Sequence, residues 1–316
     1  MSNNSYKFYI GIDVSKAKLD VAMGDGNTPL VVLNDSDGLK RLLKQLPAKE
    51  ESLIILEASG GYEKYAADYL RRDGFKVAIV NPKRVRDFAK AAGKLAKTDC
   101  IDAQIIRNFG QSFNPLAQPP LTQAEAERLQ TLNRREQVVR MITLEKQYLE
   151  TSSEGYKKEI KKHIVFLEKK LELLENKLVE QFNQEPILKE KVERLDEIKG
   201  VGKITAMNIL IHLPELGSLS NKEVAALAGV APYNRDSGQM RGKRAVWGGR
   251  VTVRSALYMA ILSAIQFNLA IKHFYQKLIA KGKLKKVAMV ACMRKMIITM
   301  NAMMRNNMRW DSARIK

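Results

Sequence analysis

The chain has 316 residues, 45% of them apolar, which is enough for two or three domains with real cores and excludes a disordered tail. Lys and Arg number 54 against 34 acids, a formal net charge of +20, so the expected partner is a polyanion, most simply nucleic acid. Two cysteines and three histidines imply neither a disulfide framework nor a zinc spacing. No run of about 18 apolar residues and no signal-peptide pattern is present, so a cytoplasmic or nucleoid protein without a membrane partner is expected.

In chain order, Lys7 to Met23 reads as a β-hairpin: strand Phe8 to Val14, turn Ser15 to Lys18, return strand Leu19 to Met23. Asp13 sits in an apolar, β-branched run, where a carboxylate is costly unless it is paired or binds a metal. Gly11 beside it lets something approach the backbone closely. A third strand (Thr28 to Asn34), a short helix (Asp37 to Gln45) and a buried strand from Ser52 follow. That strand ends in Glu57 and then small residues. Tyr62 to Asp73 is a helix closed by Gly74, Phe75 to Val80 a strand, and Pro82 opens another helix. An antiparallel hairpin followed by alternating strands and helices predicts a mixed sheet with helices on both faces. In such sheets functional residues gather at the carboxyl ends of strands, where Glu57 falls.

From Pro82 to Lys97 six bases, among them Lys83, Arg84, Arg86 and Lys97, accompany one acid. This run leads into Lys97-Thr98-Asp99-Cys100-Ile101-Asp102-Ala103 and a helix over Ile101 to Phe109. Asp99 and Asp102 are three residues apart, so on a helix both carboxylates point the same way. Taken alone they are also a good helix start beside the N-cap residue Thr98.

Asn114 to Pro120, with three prolines, is a linker. A capping box, Thr122 to Glu125, opens a long helical region. Its second half carries Ile160, Ile164, Leu167, Leu171, Leu174 and Leu178 at alternating spacings of four and three, a coiled-coil seam within one chain or between two. Ile198 to Lys203 contains Gly-x-Gly between helical stretches. It is either a helix-hairpin-helix that offers N–H groups to a phosphate, with Lys199 and Lys203 beside it, or a plain turn. The polar stretch from Ala231 to Arg254 carries Arg235, Arg241, Lys243, Arg244, Arg250 and Arg254 with one acid. Ser237, between Asp236 and Gly238, is an activated nucleophile or a turn residue. From Lys272 to residue 316 lie twelve bases, one acid and a methionine stripe expected in a core.

Asp13, Glu57, Asp99 and Asp102 form a series from three distant segments. Two divalent ions need bridging and flanking carboxylates, and hard Mg²⁺ prefers oxygen ligands. The blocks Gly11 to Lys16, Glu57 to Tyr62, Asn81-Pro82 and Lys97 to Ala103 resemble the signatures of the DEDD transposases of the insertion-sequence-110 family. The stretch from Gly229 through Asp236-Ser237-Gly238 to Arg250 resembles that family's second domain.

The resemblance implies an α/β plus all-α chain. A RuvC-like, ribonuclease-H-like domain (1–115) precedes a coiled-coil region (121–185) and a helical C-terminal transposase domain (190–316). It implies that Asp13, Glu57, Asp99 and Asp102 bind two Mg²⁺ and that Ser237 attacks a DNA phosphodiester to form a 5′-phosphoserine. It implies a dimer or tetramer in which one subunit's acids can meet another's serine. It also implies guidance by a structured noncoding bridge RNA that pairs with donor and target DNA. The competing expectations are a RuvC-type nuclease that hydrolyses DNA junctions with water, and a non-catalytic nucleic-acid scaffold.

Overall fold

A computed structural model of the chain describes residues 6–24, 30–93, 99–234, 236–237, 240–242 and 244–311, with backbone alone at 99–101, 236–237 and 240–241. The chain divides into two compact units, residues 1–122 and 123–316.

The first unit is built on a five-stranded sheet. Strands β1 (Phe8–Val14), β2 (Lys18–Ala22), β3 (Leu30–Leu33), β4 (Ser52–Glu57) and β5 (Lys76–Val80) lie in the order β3-β2-β1-β4-β5. β1, β4 and β5 run parallel, and β2 and β3 are antiparallel to their neighbours. The interior strand β4 is buried from Ser52 to Leu56, as its unbroken Leu-Ile-Ile-Leu run requires of a strand covered on both faces. Helices α1 (Ser36–Leu43) and α2 (Glu63–Arg72) cover one face, where Leu39, Leu42, Ala66 and Leu70 pack on Ile10, Ile12, Ile54 and Leu56. Helices α3 (Pro82–Ala91) and α4 (Asp99–Phe113) supply the other face, where Val85, Ile105, Ile106 and Phe109 pack on Leu53, Ile55 and Ala78. The mixed sheet between helical layers is consistent with a RuvC-like domain. α4 begins two residues before the expected start and runs four beyond the expected end.

The second unit is helical. α5 (Gln123–Thr151) and α6 (Glu154–Asn183) pair along their length. Arg135 bonds Glu175 and Lys146 bonds Glu168, which makes the pair an antiparallel hairpin broken at Ser152-Ser153. The heptad leucines therefore have a partner within the chain: Leu167 is buried with Val138 and Ile142 of α5, and Leu171 and Leu174 pack against them.

α7 (Pro186–Asp196), α8 (Lys203–His212), α9 (Asn221–Leu227), α10 (Val251–Phe267), α11 (Leu269–Ala280) and α12 (Lys285–Arg305) enclose the larger core, which takes in Leu132, Leu178 and Phe182 of the hairpin. α12 is long and apolar enough to cross a membrane, but its methionine stripe packs inward: Met293, Met296, Met300 and Met303 are buried in this core. The buried Asn301 ties the loop before α9 to α12, accepting from the Gly217 amide at 2.8 Å and donating to the Leu219 carbonyl at 2.7 Å.

Candidate nucleolytic site

The position of the acids follows from the register of two strands and the seat of one helix. β1 and β4 pair in parallel with Ile12 opposite Leu56, and one residue further along each strand stand Asp13 and Glu57. Both share strand parity with Gly11 and Ile55, on the face that carries α4. Both are half-buried.

α4 is held against this face by two glycines. A Cβ on Gly11 would lie 2.2 Å from the Ala103 carbonyl oxygen and 2.3 Å from the Arg107 amide. A Cβ on Gly110 would lie 2.4 Å from Cδ1 of Ile55. Gly110 also lies toward Tyr9, two residues before Gly11, so α4 runs opposite to β1. Two residues of strand rise about 6.6 Å, roughly four residues of helix. Moving from Gly11 to Asp13 therefore moves back along α4 from Ala103–Arg107 to its first turn, which holds Asp99 and Asp102. Asp102 is half-buried; the Asp99 side chain lies outside the described residues. Among the described residues, which leave out the Asp99 side chain, no three or more His, Cys, Asp or Glu side chains stand close enough together to hold a metal ion.

The loop after Glu57 is fixed by Glu63, whose carboxylate is buried and accepts from the Ser59 amide at 3.0 Å and the Gly61 amide at 2.8 Å. Gly60 and Gly61 supply the positive φ values that this turn needs, +73° and +111°. Asn34 ties the β1–β2 turn to the same region, donating to Ser15 O at 2.9 Å and Tyr62 O at 3.4 Å.

Ser237 belongs to the second unit. β6 (Pro232–Tyr233) pairs with β9 (Ala245–Val246), and β7 (Asp236–Ser237) pairs with β8 (Met240–Arg241), a ribbon of two short ladders where an irregular loop was expected. Ser237 pairs with Met240, next to the ribbon's tip. Its side chain, and that of Arg241, lie outside the described residues, as do Lys97, Arg235 and Lys243 altogether.

The remaining expected nucleic-acid contacts divide in two. Lys83, Arg84, Arg86, Lys199, Lys203 and Arg244 are exposed. Arg84 lies over the rings of Phe109 and Phe113, which fixes its stem on the surface. Arg250 instead grips Glu215 through both guanidinium nitrogens at 2.6 and 2.7 Å and donates to His212 O. Arg254 donates to Gly248 O at 2.7 Å. Both carry internal structure, holding the end of the ribbon to α8 and its following turn.

The Gly-x-Gly turn also has a packing role. Gly200 has φ +103° and a Cβ there would lie 2.7 Å from Ala264, so this glycine lets the turn sit on α10. Gly202, in open space, is the one that starts α8 without a side-chain cap.

Comparison with known proteins decides the assignment. Residues 10–153 match a transposase model of the IS110 DEDD type, and residues 192–276 match a model described as transposase IS116/IS110/IS902 family. Two pilin gene-inverting proteins, from Moraxella bovis and Moraxella lacunata, are each 30% identical over 315 residues, covering 96% of this chain and 98% of theirs. The chain belongs to the IS110 family of transposases. It is a DNA transposase or recombinase, and DNA is its substrate. The IS110 blocks read from the sequence fall on the carboxyl ends of β1 and β4, on the first turn of α4 and on the ribbon before α10.

One acid on the site-facing side of the sheet was missed. Asp20 stands opposite Asp13 in the β1–β2 register, is 5% exposed, and pairs with Lys18 at 3.2 Å. The signal was present: a turn at Ser15 to Lys18 makes 13 and 20 cross-strand partners.

Proposed function

We propose that this IS110 protein cuts and rejoins DNA through a phosphoserine at Ser237, with Asp13, Glu57, Asp99 and Asp102 as a Mg²⁺ site, under the guidance of a noncoding bridge RNA. The observation that carries the metal reading is the register that sets Asp13 beside Glu57 under the α4 turn bearing the other two acids. The donors are all carboxylate oxygens, which suits a hard divalent cation. Bound there, Mg²⁺ would offset charge on the reacting phosphate.

The chain's own residues supply the rest. Ser237 Oγ gives up its proton and bonds to phosphorus; the bond to the DNA 3′-oxygen breaks, and that oxygen leaves as a hydroxyl. The phosphoserine retains the energy of the broken ester, so rejoining by a new 3′-hydroxyl needs no nucleotide cofactor. Exposed Lys83, Arg84 and Arg86 on α3 of the first unit, and exposed Lys199, Lys203 and Arg244 on the second, each suit contact with a nucleic-acid backbone, which leaves sequence choice to a paired RNA.

A homo-oligomer, dimer or tetramer, is supported by the helical hairpin. On α5, Met141, Leu144 and Tyr148 are 41%, 50% and 57% exposed at spacings of three and four, and on α6 Phe166 and Leu173 are 63% exposed seven residues apart.

Recombination between two plasmids, one carrying the element and one its target, tests the reading. Wild-type protein recombines them only with a divalent ion and a copurifying RNA. Asp13→Asn and Ser237→Ala each abolish the product. Full recombination by either variant, or by protein stripped of RNA, would refute the corresponding part. Hydrolysed ends from wild-type protein would favour the nuclease alternative.

A further inference from the structure

The sheet face under α4 carries more charge than the four family acids. In the order β2-β1-β4, one row of the sheet holds Asp20, Asp13 and Glu57: Asp20 is the cross-strand partner of Asp13, and Glu57 follows the last β1–β4 pair. Directly paired Cβ atoms in an antiparallel ladder lie about 4.5–5.5 Å apart, so the Asp20 and Asp13 carboxylates are near neighbours on one face. Asp20 is the most enclosed of the three, its side chain 8% exposed. A buried carboxylate beside another needs a cation, and Lys18 provides it, with Nζ 3.2 Å from Oδ2 and 3.4 Å from Oδ1. Lys18 lies two residues along β2 on the same face, at the carboxyl-end rim where β1 and β4 finish, and its side chain is 40% exposed. Asp20 is thus the enclosed end of the pair and Lys18 the part-exposed end.

We propose that Lys18, held in place by Asp20, contacts a non-bridging oxygen of the reacting DNA phosphate at the rim of the acid cluster. This rests on the metal-site reading above. Lys18 is then a catalytic residue and Asp20 a positioning residue that directs the ammonium. The bidentate contact fixes the direction of a side chain that otherwise has four free torsions. An ammonium already in place needs no reorganisation when charge develops on the phosphate.

The test uses the full-length protein with its copurifying RNA and DNA carrying the element ends. It measures single-turnover strand cleavage across DNA concentration, thermal melting, and Mn²⁺ binding by calorimetry. Lys18→Ala is expected to slow cleavage at saturating DNA by about 10²–10³-fold, with Mn²⁺ affinity within about twofold of wild type. Lys18→Arg restores part of the rate. Asp20→Asn costs about tenfold. Because Lys18→Ala leaves Asp20 buried and unpaired, the decisive protein is Lys18→Ala/Asp20→Ala, which removes both partners and spares the fold. It is expected to melt near wild type and still cleave as slowly as Lys18→Ala. Recovery of cleavage in the double variant, or cleavage by Lys18→Ala within twofold of wild type, would overturn the proposal and leave the pair a fold contact. Asp13→Asn, run in parallel, separates the two readings. If Asp13→Asn binds Mn²⁺ and cleaves normally, the metal site is wrong, whatever Lys18 does.

Discussion

Gly11 of β1 touches the backbone of α4 at Arg107, and a Cβ on that glycine would sit 2.3 Å from the Arg107 amide nitrogen. The contact lies one strand period before Asp13, so the helix that brings Asp99 and Asp102 is seated by the strand that carries the first acid.

Gly11→Ala should therefore lift α4. The neighbouring atoms are helix backbone and cannot rotate aside as a side chain tip would. The expected cost is about 1–3 kcal/mol of stability, with strand cleavage lost even where the protein remains folded. Thermal melting together with a cleavage assay checks it. A variant that melts and cleaves like wild type would mean that α4 is seated elsewhere.

Part of this geometry was legible in the sequence. A glycine interrupting an apolar β-branched run announced the close approach that α4 makes at Gly11, and the Leu-Ile-Ile-Leu run before Glu57 announced a buried strand ending at that acid. What stayed hidden depended on partners far along the chain. Arg250 read as one more base in a basic stretch; only the fold sets Glu215 against it. Gly200 read as part of a phosphate-facing hairpin or of a plain turn, and nothing nearby in sequence pointed to its neighbour Ala264, on a helix more than sixty residues away. The heptad leucines of α6 gave a seam without saying what filled it, since α5 lacks an equally clear repeat. Asp20 passed as one polar residue of an alternating strand.

The Arg250–Glu215 pair has a pH signature. Hydrogen bonds from Arg250 hold the Glu215 carboxyl below its ordinary value, with burial opposing. A carboxyl lowered in the folded state adds stability that is fully present above the ordinary glutamate value and lost as pH falls through the folded one. Both side chains are more than a third exposed, so solvent screening limits the contribution to about 1 kcal/mol. Glu215→Gln should lose about that much at pH 7. Its gap from wild type should close as the pH drops below about 4.3. Urea titrations of both proteins from pH 7 to pH 3 give the comparison; a gap that widens toward acid would contradict the assignment.

Cys292 should be chemically silent in the folded protein. It is buried in the C-terminal core, and burial pushes its thiol up to about 11 against a smaller downward pull from Lys295. Alkylation at pH 8 should be at least about 100-fold slower in native protein than in urea. Peptide mass mapping reads the residue directly. Rapid native labelling at Cys292 would show that α12 does not sit in the core as described.

The proposed chemistry requires Ser237 to become covalently attached to DNA. The direct measurement is to quench a cleavage reaction with denaturant, digest protein and DNA, and map any nucleotide-bearing peptide by mass spectrometry. A 5′-phosphonucleotide is expected on Ser237 in wild-type protein with a divalent ion, and none in Ser237→Ala or Asp13→Asn. Cleaved strands with free 5′-phosphates and no modified Ser237 peptide would contradict it.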